Sequence, residues 1–256
     1  MAKNLLLIGY NYCMYYYYLY YGSLILLIPG IIFALVCQFA VQLTFKKYSA
    51  VSSMNGITGK EAARKVLDMN DVDGVTVNSI KGSLTDHYDP RDKTLNLSEP
   101  VYDSTSVAAI GVAAHEAGHA VQDSENYIPL KIRGAIVPVV NIGTRLAVPV
   151  AILGIIIEWL ARTPTMEHVG TYVLAAGILM YSLTAIFALI TLPVEINASR
   201  RAVNALIDGG MIATEEKRYV KKVLTAAAMT YVASLAMSIL YLLRFLIIIS
   251  GSRKKK

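Results

Sequence analysis

Four long apolar stretches limit the folds open to this sequence. They run from about residue 22 to 45, 135 to 160, 169 to 192 and 226 to 249. Each is long enough to supply the roughly 20 residues that a helix needs to cross about 30 Å of hydrocarbon. With 55% apolar and only 16% charged residues, the composition is unusual for a soluble domain. The sequence therefore predicts a mainly α-helical integral membrane protein with four spans.

Between the first two stretches the chain becomes polar. Thr58 can cap a helix over residues 59–67, and residues 75–77 and 94–97 alternate like short strands. Segment 86–93 is rich in residues that favour turns. We predict a small α+β insertion here, in which residues 94–97 could offer an edge to an extended substrate.

Composition divides the chain into five segments. They are an N-terminal interfacial segment with the first span (1–47), a hydrophilic subdomain with a motif-bearing helix (48–133), two spans (134–192), a helix that Pro193 can start (193–225), and the last span with a basic tail (226–256). The tyrosine-rich run 12–21 favours the boundary between water and lipid, or it extends the first helix. No cleavage-site pattern accompanies the first span, so we expect an anchor and not a removed signal peptide.

An HExxH sequence is the strongest chemical signal. His115, Glu116 and His119 lie on a predicted helix that Ser104 or Ser106 can cap. Both imidazoles can reach one metal ion, because positions four apart share a helix face. Zinc in hydrolases typically takes three protein ligands and a water whose pKa falls toward about 7, and Glu116 is placed to accept that water's proton. The alternative is an ordinary hydrogen-bonded cluster on an amphipathic helix.

The third ligand has to come from elsewhere. The residues after His119 lack the glycine and third histidine of a metzincin, and no acidic residue occurs at a thermolysin-like spacing. Glu125 lies about two turns along the same helix, too far to close around the metal. Glu195 follows an apolar span, where a carboxylate needs a partner, and two predicted spans return it to the side of His119. We predict Glu195 as the third ligand; an ion pair with Arg200 or Arg201 is the alternative.

Three stretches resemble a known family. They are LTDHYDPRDKTLNLSEPVY (84–102), AAIGVAAHEAGHAVQ (108–122) and LPVEINASRRAVNAL (192–206). They look like the YugP-type membrane neutral zinc metallopeptidases over about residues 22 to 245, and more distantly like the HtpX and CAAX-type membrane proteases. The resemblance implies a gluzincin-like site with His115 and His119 from one helix and Glu195 from another. In the HtpX-like pattern an Asp follows that Glu by four positions, where this chain has Ser199.

A further histidine, His87, lies in the polar insertion. It could orient substrate, stabilise a developing oxyanion or serve as an alternative metal ligand. A turn histidine bonded to Asp86 or Asp89 is an equally good interpretation.

The net charge of +6 bears on partners and orientation. The basic residues form no aromatic-interleaved motif, so we expect no nucleic-acid partner, whereas a face near anionic lipid headgroups explains them. Segments 46–133 and 193–225 hold most Lys and Arg, which predicts an active site on the cytoplasmic face of the cell membrane. The basic tail 253–256 disagrees, because four spans would place it outside.

These features predict a membrane-bound zinc endopeptidase that acts on polypeptides, including membrane-associated ones; they do not predict its oligomeric state. Two other classes stay open. One is a non-catalytic metal-binding membrane scaffold or chaperone-like protein, although such a protein has no need for Glu116 between its ligands. The other is a transporter, but the sequence has no internal repeat or paired broken helices.

Overall fold

A computed structural model describes residues 21–253, apart from the side chains of residues 164, 167 and 249–253. The helices are α1 (Ile28–Ser49, after a 3-10 turn at Ser23–Leu27), α2 (Gly59–Asp68), α3 (Glu99–Tyr102), α4 (Val107–Ser124), α5 (Ile128–Leu160), α6 (Pro164–Asp208) and α7 (Lys217–Arg253). The strands are β1 (Thr76–Ile80), β2 (His87–Asp89) and β3 (Thr94–Ser98). The tyrosine-rich run up to residue 20 and basic residues 254–256 lie outside the described part.

Within residues 21–253, four helices are long and apolar enough to cross a membrane. The candidate spans are Ser23–Ser49, Ile128–Leu160, His168–Asp208 and Lys217–Ile248. Large apolar side chains such as Phe39, Leu153 and Leu246 are exposed along them, as expected for surfaces that face lipid. The predicted multi-span, mainly helical fold is confirmed.

The third span does not end at Pro193. Helix α6 continues without a break from Pro164 to Asp208, so the prediction that Pro193 starts a new helix is wrong. Proline removes one helical hydrogen bond, but helices in membrane proteins tolerate this when neighbouring groups satisfy the freed carbonyl. Glu195 is therefore carried on the helix that forms the third span.

The chain divides into two compact units. One comprises the described parts of 1–35, 136–188 and 233–256, where small residues bring helix backbones together. A Cβ added to Gly177 of α6 would lie 2.6 Å from the backbone nitrogen of Ala151 in α5, a spacing that only glycine permits. The other unit comprises residues 36–135 and 189–232. The five segments derived from composition stay a prediction.

The second unit contains a three-stranded sheet in the order β1-β3-β2. Strand β3 pairs in parallel with β1 and antiparallel with β2. The predicted strands near 75–77 and 94–97 are confirmed, but β3 is the central strand, so the prediction that it offers an edge is wrong. Its two neighbours form the edges instead.

Strand β2 occupies part of the segment predicted as a turn. Only residues 90–93 turn, whereas His87–Asp89 pair with β3. The half-buried Tyr88 explains the difference, because it lies opposite Leu95 and its hydroxyl donates to the Asp123 carboxylate of α4 at 2.9 Å. Burial of the Tyr88 hydroxyl and its bond to Asp123 raise the pKa of Tyr88.

Helix α4 lies in the core of this unit. Its N-cap is Ser106, whose hydroxyl accepts from the backbone N–H of Ala109 at 3.2 Å. The helix packs against α2, α3, β2 and β3, and α2 has the predicted Thr58 cap, completed by Glu61 in a capping box. Most of the fully buried α4 side chains are small (Val107, Ala108, Ala109, Ala113, Ala114 and Ala117), whereas Ile110 and Gln122 are the larger ones. Small side chains allow close neighbours on several faces of α4.

A buried carboxylate ties the end of α1 to the start of α7. Glu216 accepts hydrogen bonds from the backbone N–H groups of Met54 at 2.9 Å and Ala213 at 2.8 Å, and from the Ser53 hydroxyl at 3.2 Å. The rings of Tyr48 and Tyr219 stack beside it with centroids 5.2 Å apart. These contacts fix the two helix ends next to each other.

Candidate metal centre

The site begins with the close approach of α4 and α6. A Cβ added to Gly118 would lie 2.9 Å from the carbonyl oxygen of Ala198, which is itself fully buried. Glycine at 118 thus lets the two backbones nearly touch. His115 and His119 on α4 come to lie beside Glu195 on α6 as a result.

Each histidine has one ring nitrogen engaged by a neighbour. His115 Nδ1 lies 3.1 Å from the hydroxyl of Ser199, and His119 Nδ1 lies 3.0 Å from Oε1 of Gln122. Since the amide oxygen can only accept, His119 carries its proton on Nδ1 when neutral. Both rings then present Nε2 to the space between them, as metal-binding histidines do.

Glu195 completes the group. The residue is 3% exposed, and its Oε2 lies 3.2 Å from His115 Nε2 and 3.6 Å from His119 Nε2. The other oxygen, Oε1, accepts from Arg133 Nη1 at 3.0 Å. Arg133 therefore leaves one carboxylate oxygen directed at the imidazoles.

The donor set fits a zinc ion. Ligand atoms of His115, His119 and Glu195 all lie within 4.8 Å of one another, and these three residues form a group that could hold a metal. A tetrahedral zinc with bonds of about 2.0–2.1 Å places its ligand atoms roughly 3.3–3.4 Å apart, close to the two distances from Glu195 Oε2. Two nitrogens and one carboxylate oxygen are also the donor types of a catalytic zinc site.

Electrostatics favour a cation at the same place. Burial lowers the pKa of His119, but the bond to Glu195 and the negative charge of Glu116 raise it by more, so that its pKa lies above the usual value. The pair of carboxylates thus attracts positive charge to the ring. A divalent metal supplies that charge without a proton.

A cavity of about 260 Å³ opens beside the group. It is lined by His115, Glu116, Glu195 and Ser199, by Leu84 and Asp86 ahead of β2, and by side chains of α1 and α7 that include Gln38, Phe45, Leu224 and Tyr231. Glu116 lines the same cavity as His115 and Glu195. The cavity is large enough to hold several water molecules.

Other polar residues form a network behind His119. Gln122 donates to the carbonyl of Val194 at 2.9 Å and to Oδ1 of Asn197 at 2.8 Å. Asn197 also accepts from Arg201, which forms two bonds to Glu125. Arg201 thus pairs with Glu125 and leaves Glu195 to the histidines, contrary to the alternative considered for Glu195. The bond to Arg201 lowers the pKa of Glu125.

The structure does not bring His87 into the group. Its Nδ1 lies 2.9 Å from the carbonyl oxygen of Thr85 and its Nε2 lies 3.2 Å from the Asn96 amide. Neither Asp86 nor Asp89 is its partner: Asp86 accepts from the backbone and hydroxyl of Ser98, and Asp89 from Arg91. His87 is exposed on the edge strand, one residue from the cavity lining.

Sequence reasoning missed Arg133 and Gln122. Gln122 follows His119 by three positions, a helical spacing that could have revealed it as a partner of that ring. No sequence pattern predicts the pairing of Arg133 with Glu195, because basic residues commonly flank membrane spans.

Fold and site together define a class: a multi-span helical membrane protein with a His/His/Glu group suited to a metal. The model of the family described as "Putative neutral zinc metallopeptidase" matches residues 23–250, and this chain belongs to that family. It is also 44% identical over 216 residues to "Putative membrane protease YugP" of Bacillus subtilis (strain 168). The aligned residues cover 84% of this chain and 91% of that protein. No solved structure matches the chain significantly. The predicted family resemblance is confirmed.

Proposed function

We propose that this protein is a membrane-bound, zinc-dependent endopeptidase. His115, His119 and Glu195 are the metal ligands, and Glu116 is the catalytic base. The proposal is carried by one observation: Oε2 of Glu195 lies 3.2 and 3.6 Å from the Nε2 atoms of His115 and His119, and the three ligand atoms lie within 4.8 Å of one another. Membership of the metallopeptidase family supports it independently.

Different side chains of the protein have separate roles in the proposed hydrolysis. Zinc, when bound, would polarise the scissile carbonyl and acidify a water. The carboxylate of Glu116 takes the proton of the attacking water and later delivers it to the leaving amine. Ser199 and Gln122 hold the Nδ1 sides of the two rings, and Arg133 holds the second oxygen of Glu195. These contacts keep the ligands in place during turnover.

The substrate is a polypeptide that reaches the cavity beside β2. Strand β2 is paired on one side only, and Leu84 and Asp86 immediately before it share the cavity with His115 and Glu116. An extended chain can pair with such an edge and pass over the base. The substrate role predicted for His87 belongs to this proposal, since His87 is exposed on the same strand.

The active site lies on the cytoplasmic face of the cell membrane in this proposal. The charge asymmetry of the loops supports that orientation, and the name of the relative, a membrane protease, agrees with a membrane location. A reporter fused after Lys256 should behave as extracytoplasmic, because four spans return the C-terminus to the side of the N-terminus, opposite the site.

The decisive test combines metal content with hydrolysis. Purified protein should contain about one zinc per chain and cleave quenched fluorescent casein in detergent, since two histidines and one carboxylate are the donor set of a catalytic zinc site. Glu116→Gln should keep the zinc and lower hydrolysis by about 10²–10⁴-fold, the usual contribution of a general base. Glu195→Ala should lose both. Glu99→Gln, at an exposed position on α3, is the matched control and should behave like the unaltered protein.

If the protein is a non-catalytic metal-binding scaffold, the same measurements should give a different result. In that case the protein binds zinc but shows no hydrolysis that responds to Glu116→Gln or to chelation with 1,10-phenanthroline. Full zinc content in Glu195→Ala would remove Glu195 from the ligand set.

A further inference from the structure

A second cavity, of about 510 Å³, lies where α1 ends and α7 begins. We call it the lysine cavity; it is lined by Thr44, Lys47, Tyr48, Lys221, Lys222, Thr225 and Ala226. The α7 residues of this lining are Lys221, Lys222, Thr225 and Ala226. They alternate in pairs with Val223, Leu224, Ala227 and Ala228, which line the cavity of the metal centre. The two cavities therefore lie on different faces of α7.

The lining carries an unbalanced positive charge. It contains Lys47, Lys221 and Lys222 but no Asp or Glu. In the described part of the chain, no carboxylate lies within ion-pair distance of these three amines. Like charges gathered around one cavity repel one another, and a bound anion removes that cost.

The position of the cavity matches the level of lipid headgroups. Lys47 lies in the last turn of α1, and Lys221 and Lys222 lie in the second turn of α7, so all three are near ends of candidate spans. Tyr48 in the wall is a residue type enriched at the membrane surface. The Tyr48 ring stacks on Tyr219, and Glu216 accepts from the backbone N–H of Met54, so the backbones that carry the lining are held together on this side of the cavity.

We propose that the lysine cavity binds the phosphate group of an anionic phospholipid. Lysine binds phosphate as a point charge, and the hydroxyls of Thr44 and Thr225 can donate to phosphate or glycerol oxygens. The volume falls in the range of small-ligand sites, about 300–1,000 Å³. The site is independent of zinc and of hydrolysis, so it stands apart from the proposed function.

The test is a titration of the full chain, in neutral detergent, with short-chain phosphatidylglycerol, read by native mass spectrometry. We expect one tightly bound lipid, and no comparable binding of phosphatidylcholine. Replacement of Lys221 and Lys222 by Gln should weaken binding about 25-fold, from roughly fivefold per lysine near a phosphate surface. Replacement of both by Arg should restore it, because charge is retained.

Lys46→Gln is the matched control. Lys46 lies in the same turn of α1 as Lys47 but outside the cavity lining, so its loss should change binding less than about twofold. An equal effect of Lys46→Gln and Lys222→Gln would overturn the proposal in favour of a diffuse basic surface, as would equal binding of phosphatidylcholine. The phosphate group could come from a lipid headgroup or from free phosphate, and competition by inorganic phosphate at matched concentration distinguishes the two. Weak competition supports a lipid, whereas full displacement keeps the phosphate site and rejects a lipid as its occupant.

Discussion

The hydroxyl of Ser199 lies 3.1 Å from Nδ1 of His115, one helical turn after Glu195. The HtpX-like pattern has an Asp at this position. A hydroxyl can accept the ring N–H as a carboxylate does, but it adds no negative charge to a site that already contains Glu116 and Glu195. Ser199 can therefore orient the His115 ring as the Asp does, while this site has one negative charge fewer than the HtpX-like pattern.

Ser199→Ala should weaken zinc binding about 10–100-fold, the usual effect of removing a partner that orients a metal-binding histidine. Competition with a zinc chelator measures it. Ser199→Asp should retain the affinity, because the carboxylate again accepts from the ring. Asn204→Ala, exposed further along α6, is the control, and unchanged affinity in Ser199→Ala would show that the contact does not orient the ring.

Gly118→Ala should destabilise the protein by about 1–3 kcal/mol, because overpacking of this size shifts helices or rotamers. The added methyl group would lie 2.9 Å from the Ala198 carbonyl oxygen, and backbone cannot move aside as a side chain can. Separation of α4 from α6 should lower zinc affinity as well. Thermal unfolding and metal analysis report the two effects.

Gly134→Ala provides the comparison for that experiment. Gly134 lies in α5 with nothing within 4 Å of an added Cβ, so this change should stabilise the helix by about 0.5–1 kcal/mol. Similar losses in both variants would contradict the role assigned to Gly118.

Gln122→Ala should cost about 1–3 kcal/mol, because the variant loses the buried hydrogen bonds that Gln122 donates to Val194 and Asn197. It should also lower zinc affinity, since His119 Nδ1 loses its acceptor. Gln122→Glu separates the two roles: it keeps an acceptor for the ring but not the donor for Val194. We expect Gln122→Glu to bind zinc better than Gln122→Ala while remaining destabilised, and equal affinities in chelator competition would refute this division.

Arg133→Met should destabilise the metal-free protein more than the zinc-loaded protein. Arg133 balances the charge of the nearly buried Glu195, and zinc takes over that task when bound. The Arg133 side chain is 29% exposed, so we expect a loss of only about 1–2 kcal/mol, below the cost of breaking a fully buried pair. Unfolding with and without chelator measures the difference, Arg200→Met serves as the exposed control, and equal losses in both states would contradict it.

His87→Ala should leave zinc content unchanged, because the ring is not part of the ligand group. If β2 aligns the substrate, KM for casein should rise a few-fold while kcat changes little, since uniform binding is lost. A drop in zinc content would instead make His87 a ligand.

Much of this fold could be predicted because lipid imposes a simple rule. A span must satisfy its own backbone and hide it behind apolar side chains, so the four long helices follow from length and hydropathy. The HExxH helix was predictable for another local reason, the one-turn spacing of His115 and His119. Glu195 followed from elimination and from the count of spans.

The predictions that were wrong or incomplete depend on contacts between residues far apart in the sequence. Strand β2 is held by its pairing with β3 and by the bond from Tyr88 to Asp123, which lies 35 positions away in a helix. No local pattern in the turn-rich segment 86–93 reports such a contact. Pro193 lies inside α6, where the apolar span and the segment that follows it form one helix. The pairing of Arg133 with Glu195 joins residues 62 positions apart.

The unit that contains His115, His119 and Glu195 is discontinuous in the chain: residues 36–135 and 189–232 belong to it, and most of two spans is synthesised between its parts. On the ribosome, the histidines therefore emerge long before Glu195 does. A nascent chain cannot bring His115, His119 and Glu195 together until the second span and most of the third have been synthesised, so any chemistry of this group has to wait until nearly the whole chain has been made.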